Sequence, residues 1–156
     1  MRRSFALLNV GPRKSGMTLA EVVVVVALVA LVTGLVLPAV KRCFDRIHTR
    51  GAAQEVMTAF FTARASAIAL GQQAAVVLDA RNARVFVVSK RDTLLMRPIG
   101  AEHGVVMTST RDSMSFYPDG LGLGGANLRV VITRGSAADT VIVSREGRTK
   151  LGTRAR

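Results

Sequence analysis

Hydrophobic and polar positions change their spacing twice along this chain. From Val22 to Val40 nearly every residue is valine, leucine or alanine, and no charge appears between Glu21 and Lys41. Counted from Met17, the run covers 24 residues; as a helix it extends about 36 Å at about 1.5 Å per residue. That length crosses a hydrocarbon layer of about 30 Å with room for tilt. Beyond Pro38 the apolar residues thin out. Phe44, Ile47, Gly51, Val56, Phe60, Ala63, Ala67 and Leu70 recur at helical steps, with arginines and threonines between them. This predicts an amphipathic continuation of the same helix over 41–71, bent where Pro38 removes a backbone hydrogen bond. Its apolar face is expected to carry the rest of the chain.

From Gln72 the pattern shortens to that of strands. Ala75 to Leu78 and Val85 to Val88 flank the turn-like Ala80-Arg81-Asn82-Ala83 and predict a hairpin. Thr93 to Met96, Val105 to Thr108, Met114 to Tyr117, Leu128 to Thr133 and Thr140 to Ser144 are shorter candidate strands. The fold class expected is α+β: one long N-terminal helix, half membrane-compatible and half amphipathic, packed on a C-terminal antiparallel β domain over 72–156. No repeat or low-complexity tract marks a second domain.

Composition narrows this picture. A chain of 156 residues suits one domain plus an anchor. Aromatic residues make up only 4% and tryptophan is absent, so the core has to be small and mainly aliphatic. Net charge is +12, and Arg2, Arg3, Arg13 and Lys14 ahead of the apolar run account for four of it, leaving +8. Such an excess favours polyanions or anionic lipid and says nothing of the fold. With Cys43 as its one cysteine, the chain forms no internal disulfide.

Searches for catalytic chemistry fail. There is no G-x-S-x-G, no phosphate-loop lysine motif and no histidine pair at ligand spacing. Gly120, Gly122 and Gly125 satisfy G-x-G-x-x-G, but a strand pattern follows where a dinucleotide fold requires a helix. His48 and His103 are expected to be solvated, and the acids stand singly. No catalytic, metal-binding or cofactor-binding residue is assigned, and an enzyme is not expected.

Motif chemistry lies at the two ends. Gly16-Met17-Thr18-Leu19-Ala20-Glu21 places a small residue, an apolar residue and a lone carboxylate ahead of the apolar run. An unpaired acid in such a segment costs roughly 2.5–3.5 kcal/mol, so a partner for it is expected. An ordinary signal peptide has an apolar core of about 7–15 residues followed by a small-residue cleavage site, which this longer run lacks. The stretch resembles the precursors of type IV pilins and type II secretion pseudopilins. Met17 stands where phenylalanine is commonest in that family, and Pro38 falls where pilins commonly carry proline. The resemblance implies a leader over 1–16, cut between Gly16 and Met17 by a prepilin peptidase. It also implies N-methylation of Met17, a membrane helix over 17–40, and pairing of Glu21 with the amine of a neighbouring Met17 during assembly.

Phe116-Tyr117-Pro118-Asp119-Gly120, a glycine-rich loop, Arg129 to Thr133, Val141 to Ser144 and Gly147-Arg148 together resemble the GspH/FimT type of minor pilin. No signature is matched over 79–113. The family implies a single-pass subunit of the bacterial inner membrane with its C-terminal domain in the periplasm, assembled into a (pseudo)pilus with other minor and major (pseudo)pilins. Gly147-Arg148-Thr149-Lys150 also resembles a G-R-x-K motif with which some FimT-like pilins grip DNA. Arg145, Arg148, Lys150 and Arg154 are therefore candidate DNA contacts in a basic tail. A secretion scaffold and a DNA-binding minor pilin stay open as alternatives, beside a membrane-anchored binding module that never polymerises.

Overall fold

The computed structural model describes residues 16–90, 92–123 and 127–152. The expected leader up to Ser15, Arg154 and Gly125 lie outside the described residues. The chain forms two compact units, one ending at Pro38 and one beginning at Ala39.

Helix α1 (Leu19–Leu70) is 52 residues long, with Pro38 inside it. It begins at Thr18, whose Oγ1 accepts the Glu21 amide at 3.3 Å. Thr18 and Glu21 stand at the two ends of a T-x-x-E capping box, and a carboxylate in the first turn also suits the positive end of the helix dipole. Within the first unit the helix is exposed on every side, from Leu19 to Pro38. An all-round apolar helix belongs in lipid or in a bundle, and α1 is the one described helix long and apolar enough to cross a membrane, by length and composition.

In the second unit the same helix has a buried stripe of Asp45, Thr49, Ala52, Ala53, Val56, Ala59, Phe60, Ala63 and Ala67. Steps of three and four keep these residues on one face, and the alanines let a sheet approach the backbone closely. The helix stops in a left-handed cap: Gly71 has φ 59°, and the Gln72 amide donates back to the Ala67 carbonyl at 3.2 Å.

Among the described residues, nine strands and one short helix follow. They are β1 (Ala74–Asp79), β2 (Arg84–Ser89), β3 (Asp92–Arg97), α2 (Ile99–His103), β4 (Val106–Ser109), β5 (Ser113–Phe116), β6 (Gly122–Leu123), β7 (Leu128–Arg134), β8 (Ala137–Val143) and β9 (Thr149–Gly152). They build two antiparallel sheets, in the orders β3-β2-β1-β5-β6 and β4-β7-β8-β9. The expected hairpin is β1 and β2, in register from Ala74 opposite Ser89 to Asp79 opposite Arg84. Its turn is tied by Asp79, which accepts the Asn82 amide at 3.2 Å and the Asn82 side-chain Nδ2 at 2.7 Å. Hydrogen bonds from Asn82, side chain first, hold the Asp79 carboxyl below its ordinary value.

One continuous core joins the α1 stripe to the inward residues of both sheets, among them Val76, Val85, Val87, Phe116, Val130, Ile132, Val141 and Val143. Phe60 of α1 and Phe116 of β5 meet edge to face at its centre, with ring centroids 6.5 Å apart.

Several expectations need correction. Phe44, Ile47 and Leu70 fit the helical period but are exposed; Asp45 and Thr49 occupy the buried face instead. Asp45 is there because Arg134 Nε, at the end of β7, donates to its Oδ1 at 3.1 Å, so the charge is buried with a partner. His103 lies in α2, half-buried, with Nε2 2.8 Å from Glu55 Oε1, and is not a solvated loop residue. His48 is also half-buried. The acids, scattered singly along the sequence, acquire basic partners in the fold: Asp45 meets Arg134, Glu55 meets His103 and Asp139 meets Arg50. Residues 149–152 form β9 and are paired with β8, so this part of the basic tail is ordered sheet.

Candidate functional site

The N-terminal motif is defined by what the chain leaves unused. Gly16 has nothing within 4 Å of where a Cβ would sit, and its φ is not positive. No packing or backbone constraint among the described residues demands glycine there. Met17 is 67% exposed. Glu21 is exposed in the first turn of α1, and none of the ion pairs among the described residues includes it. Among the described residues, a small residue, an apolar residue and a carboxylate thus stand without side-chain partners at the start of an apolar rod.

The second candidate surface is built by two turns. At Tyr117 to Gly120, Pro118 fixes φ at the first corner and the Gly120 amide closes on the Tyr117 carbonyl at 2.9 Å. Asp119 Oδ1 accepts the Leu121 amide at 2.8 Å. Between β8 and β9, Ser144 and Gly147 close a similar turn at 2.8 Å. Gly147 has φ 83°, and a Cβ on it would lie 2.6 Å from Phe116 Cε1. The aromatic-x-Pro-Asp-Gly turn and the Gly-Arg pair, far apart in sequence, are therefore two sides of one contact: Gly147 is small so that its backbone can lie against the Phe116 ring.

This contact positions the basic residues. Arg148 and Lys150 are exposed and line one shallow cleft with Ile142, Ser144 and Glu146. Arg148 and Glu146 also border a second, with Arg64 and Leu121. Ile142 pairs with Lys150 on one side and Arg129 on the other, so alternation along the strands puts Arg129 and Lys150 on the same outer face of the sheet. Arg145 is not in that row; it borders a different groove with Arg111, Asp112 and Gly122. Sequence reading missed Arg64 and Arg129, because only the folded arrangement brings Arg64 into a cleft with Arg148 and only strand register puts Arg129 on the face of Lys150. Glu146 lines both clefts and opposes any anion bound there. Arg154 lies outside the described residues.

A free-standing apolar N-terminal helix motif, an alanine-faced helix and two antiparallel sheets on a shared core define a pilin-like subunit. The chain matches the family model described as type II transport protein GspH over residues 52–147, and that of the prokaryotic N-terminal methylation motif over residues 11–37. It belongs to the GspH family. Solved structures agree on the fold. The type IV minor pilin FimU of Pseudomonas aeruginosa is 13% identical with a TM-score of 0.58, covering 70% of this chain and 91% of that one. A minor pseudopilin EpsH structure from the type II secretion system of Vibrio cholerae is 12% identical with a TM-score of 0.55, covering 71% and 97%. Among curated protein sequences no relative is matched. The methylation motif implies processing by a prepilin peptidase and pilin-family partners.

Proposed function

We propose that this protein is a minor pseudopilin: a precursor cut between Gly16 and Met17, methylated at Met17, and assembled into a (pseudo)pilus of a type II secretion or type IV pilus machine. The leader is 1–16 and the membrane helix 17–40, followed by the amphipathic helix 41–71 and the β domain 72–156. The protein sits in the inner membrane with the β domain in the periplasm, and it acts by assembly, not by catalysis. One observation carries the reading. Gly16 answers no packing or backbone demand of its own fold. The exposed Glu21 carboxylate, beyond suiting the first turn of α1, has no ion-pair partner among the described residues. A peptidase and a neighbouring subunit supply those demands. Glu21 meets the methylated amine of that neighbour's Met17 in the fibre core, where an unpaired carboxylate is expensive.

Mass spectrometry of the polypeptide recovered from cells tests this directly. The mature chain should begin at Met17 with one methyl group, and Gly16→Val should leave the full precursor mass. Glu21→Ala should be processed normally yet fail to enter the fibre. A chain that begins at Met1, or downstream of Val40, overturns the reading.

The outer face that carries Arg129 and Lys150, with Arg148 beside Lys150 in one cleft, favours a second reading, as a FimT-like pilin that holds DNA by its phosphates. Fluorescence anisotropy of the full chain in detergent with labelled duplex, across a salt series, decides it. Binding at low salt that Arg148→Gln with Lys150→Gln removes supports this reading; its absence ends it.

A further inference from the structure

The two histidines of this chain stand far apart in sequence, yet their rings lie edge to face with centroids 5.9 Å apart. Beside them, one oxygen each from Glu55 and Glu102 and one ring nitrogen of His103 all lie within 4.8 Å of one another. We propose that Glu55, Glu102 and His103 form a binding site for one zinc-like divalent cation, joining α1 to α2. This site is independent of assembly through the N-terminal motif and of the basic row.

Three observations carry it. First, the Glu55 carboxylate is only half answered: Oε1 meets His103 Nε2 at 2.8 Å, while Oε2 is buried with no hydrogen-bond partner among the described residues. A cation beside the carboxylate supplies what the imidazole leaves undone. Second, the His103 ring is held in place. A Cβ on Gly51, one turn before Glu55, would lie 3.0 Å from His103 Cε1, so the ring rests directly against the helix. The His103 carbonyl accepts Arg134 Nη1, and Asp45 in turn neutralises Arg134, which limits its opposition to a cation. Third, the donors select the metal. One imidazole nitrogen and two carboxylate oxygens suit zinc, which binds such atoms at about 2.0–2.2 Å and completes four positions with water. Calcium takes about six to eight oxygens at longer range, and imidazole favours the borderline transition metals. The competing account is an ion pair of His103 and Glu55 with Glu102 left in solvent.

A bound cation would fasten α2, which carries Ile99 at 0% exposure into the core, to the helix beneath it. The test uses the full chain in detergent, free of any histidine tag, titrated with zinc chloride. The expected result is one equivalent bound with a rise in melting temperature, and cobalt chloride giving the absorption of a four-coordinate ion. His103→Gln should weaken zinc affinity roughly tenfold or more, in line with losing one of three ligands. Glu102 is exposed, so Glu102→Gln leaves the fold intact and should still weaken binding if Glu55→Gln or His103→Gln proves unstable. His48→Gln should weaken zinc binding less than His103→Gln does, since the His48 ring packs on His103 and supplies no ligand atom to the group. Zinc binding no tighter than about 100 μM, or affinity unchanged by both His103→Gln and Glu102→Gln, overturns the site, because loss of a ligand cannot be silent.

Discussion

The two stretches of α1 differ in what they place around the same backbone. Up to Pro38 the helix presents valine and leucine on all sides and buries none of them. From Ala39 it buries one stripe, much of it alanine, and leaves arginines and a few large apolar residues such as Phe44 and Ile47 exposed on the other faces. Large side chains suit a surface that other apolar matter will cover loosely, such as lipid tails or neighbouring helices. Small ones suit a surface that must fit one particular partner closely. Side-chain size therefore separates the two roles more sharply than hydrophobicity does.

The largest effect expected in the packed stretch comes from its central ring pair. Phe116→Ala removes the partner of Phe60 and should cost about 3–5 kcal/mol, measured by denaturant unfolding of the β domain. An effect below about 1 kcal/mol would mean that the stripe is not closely packed. Next, Gly147→Ala forces a Cβ against Phe116 at a left-handed backbone position and should cost about 1–3 kcal/mol, with Phe116→Leu partly relieving it. Enlarging an alanine compares the stretches directly. Ala63→Leu overpacks the buried stripe and should cost about 1–3 kcal/mol, whereas Ala30→Leu, on the exposed apolar rod, should change stability by less than about 0.5 kcal/mol.

The smallest effect lies at the exposed β1–β2 turn. The folded carboxyl of Asp79 sits below the ordinary 3.8 because it accepts hydrogen bonds from Asn82. Its contribution is thus fully present above that ordinary value and is lost as pH falls through the lower folded one. NMR titration of Asp79 should show the depressed midpoint, and Asn82→Ala should move it back up. A midpoint at the ordinary value in the unaltered protein would mean that the turn is not tied this way.

The rod, the hairpin and the strand-rich C-terminal half were legible in sequence because each is a local signal: unbroken apolar length, alternation bounded by turn residues, and a Pro-Asp-Gly corner. Phe44 and Ile47 show where periodicity misleads. They fit the helical repeat, but Asp45 and Thr49 take the inward face, since Arg134, far along the chain, supplies the partner that lets an acid be buried. His103 was misplaced for the same reason: its neighbour Glu55 is 48 residues away.

By itself the sequence determined the apolar rod, the exposed motif at Gly16 to Glu21 and the α+β order of elements, because helix length and side-chain alternation follow from neighbouring residues. Only the tertiary structure decided that Gly147 lies against Phe116, that Arg129 shares a face with Lys150, and that His103 gathers with Glu55 and Glu102. Those are contacts between distant segments, and no local pattern specifies which distant segment will arrive.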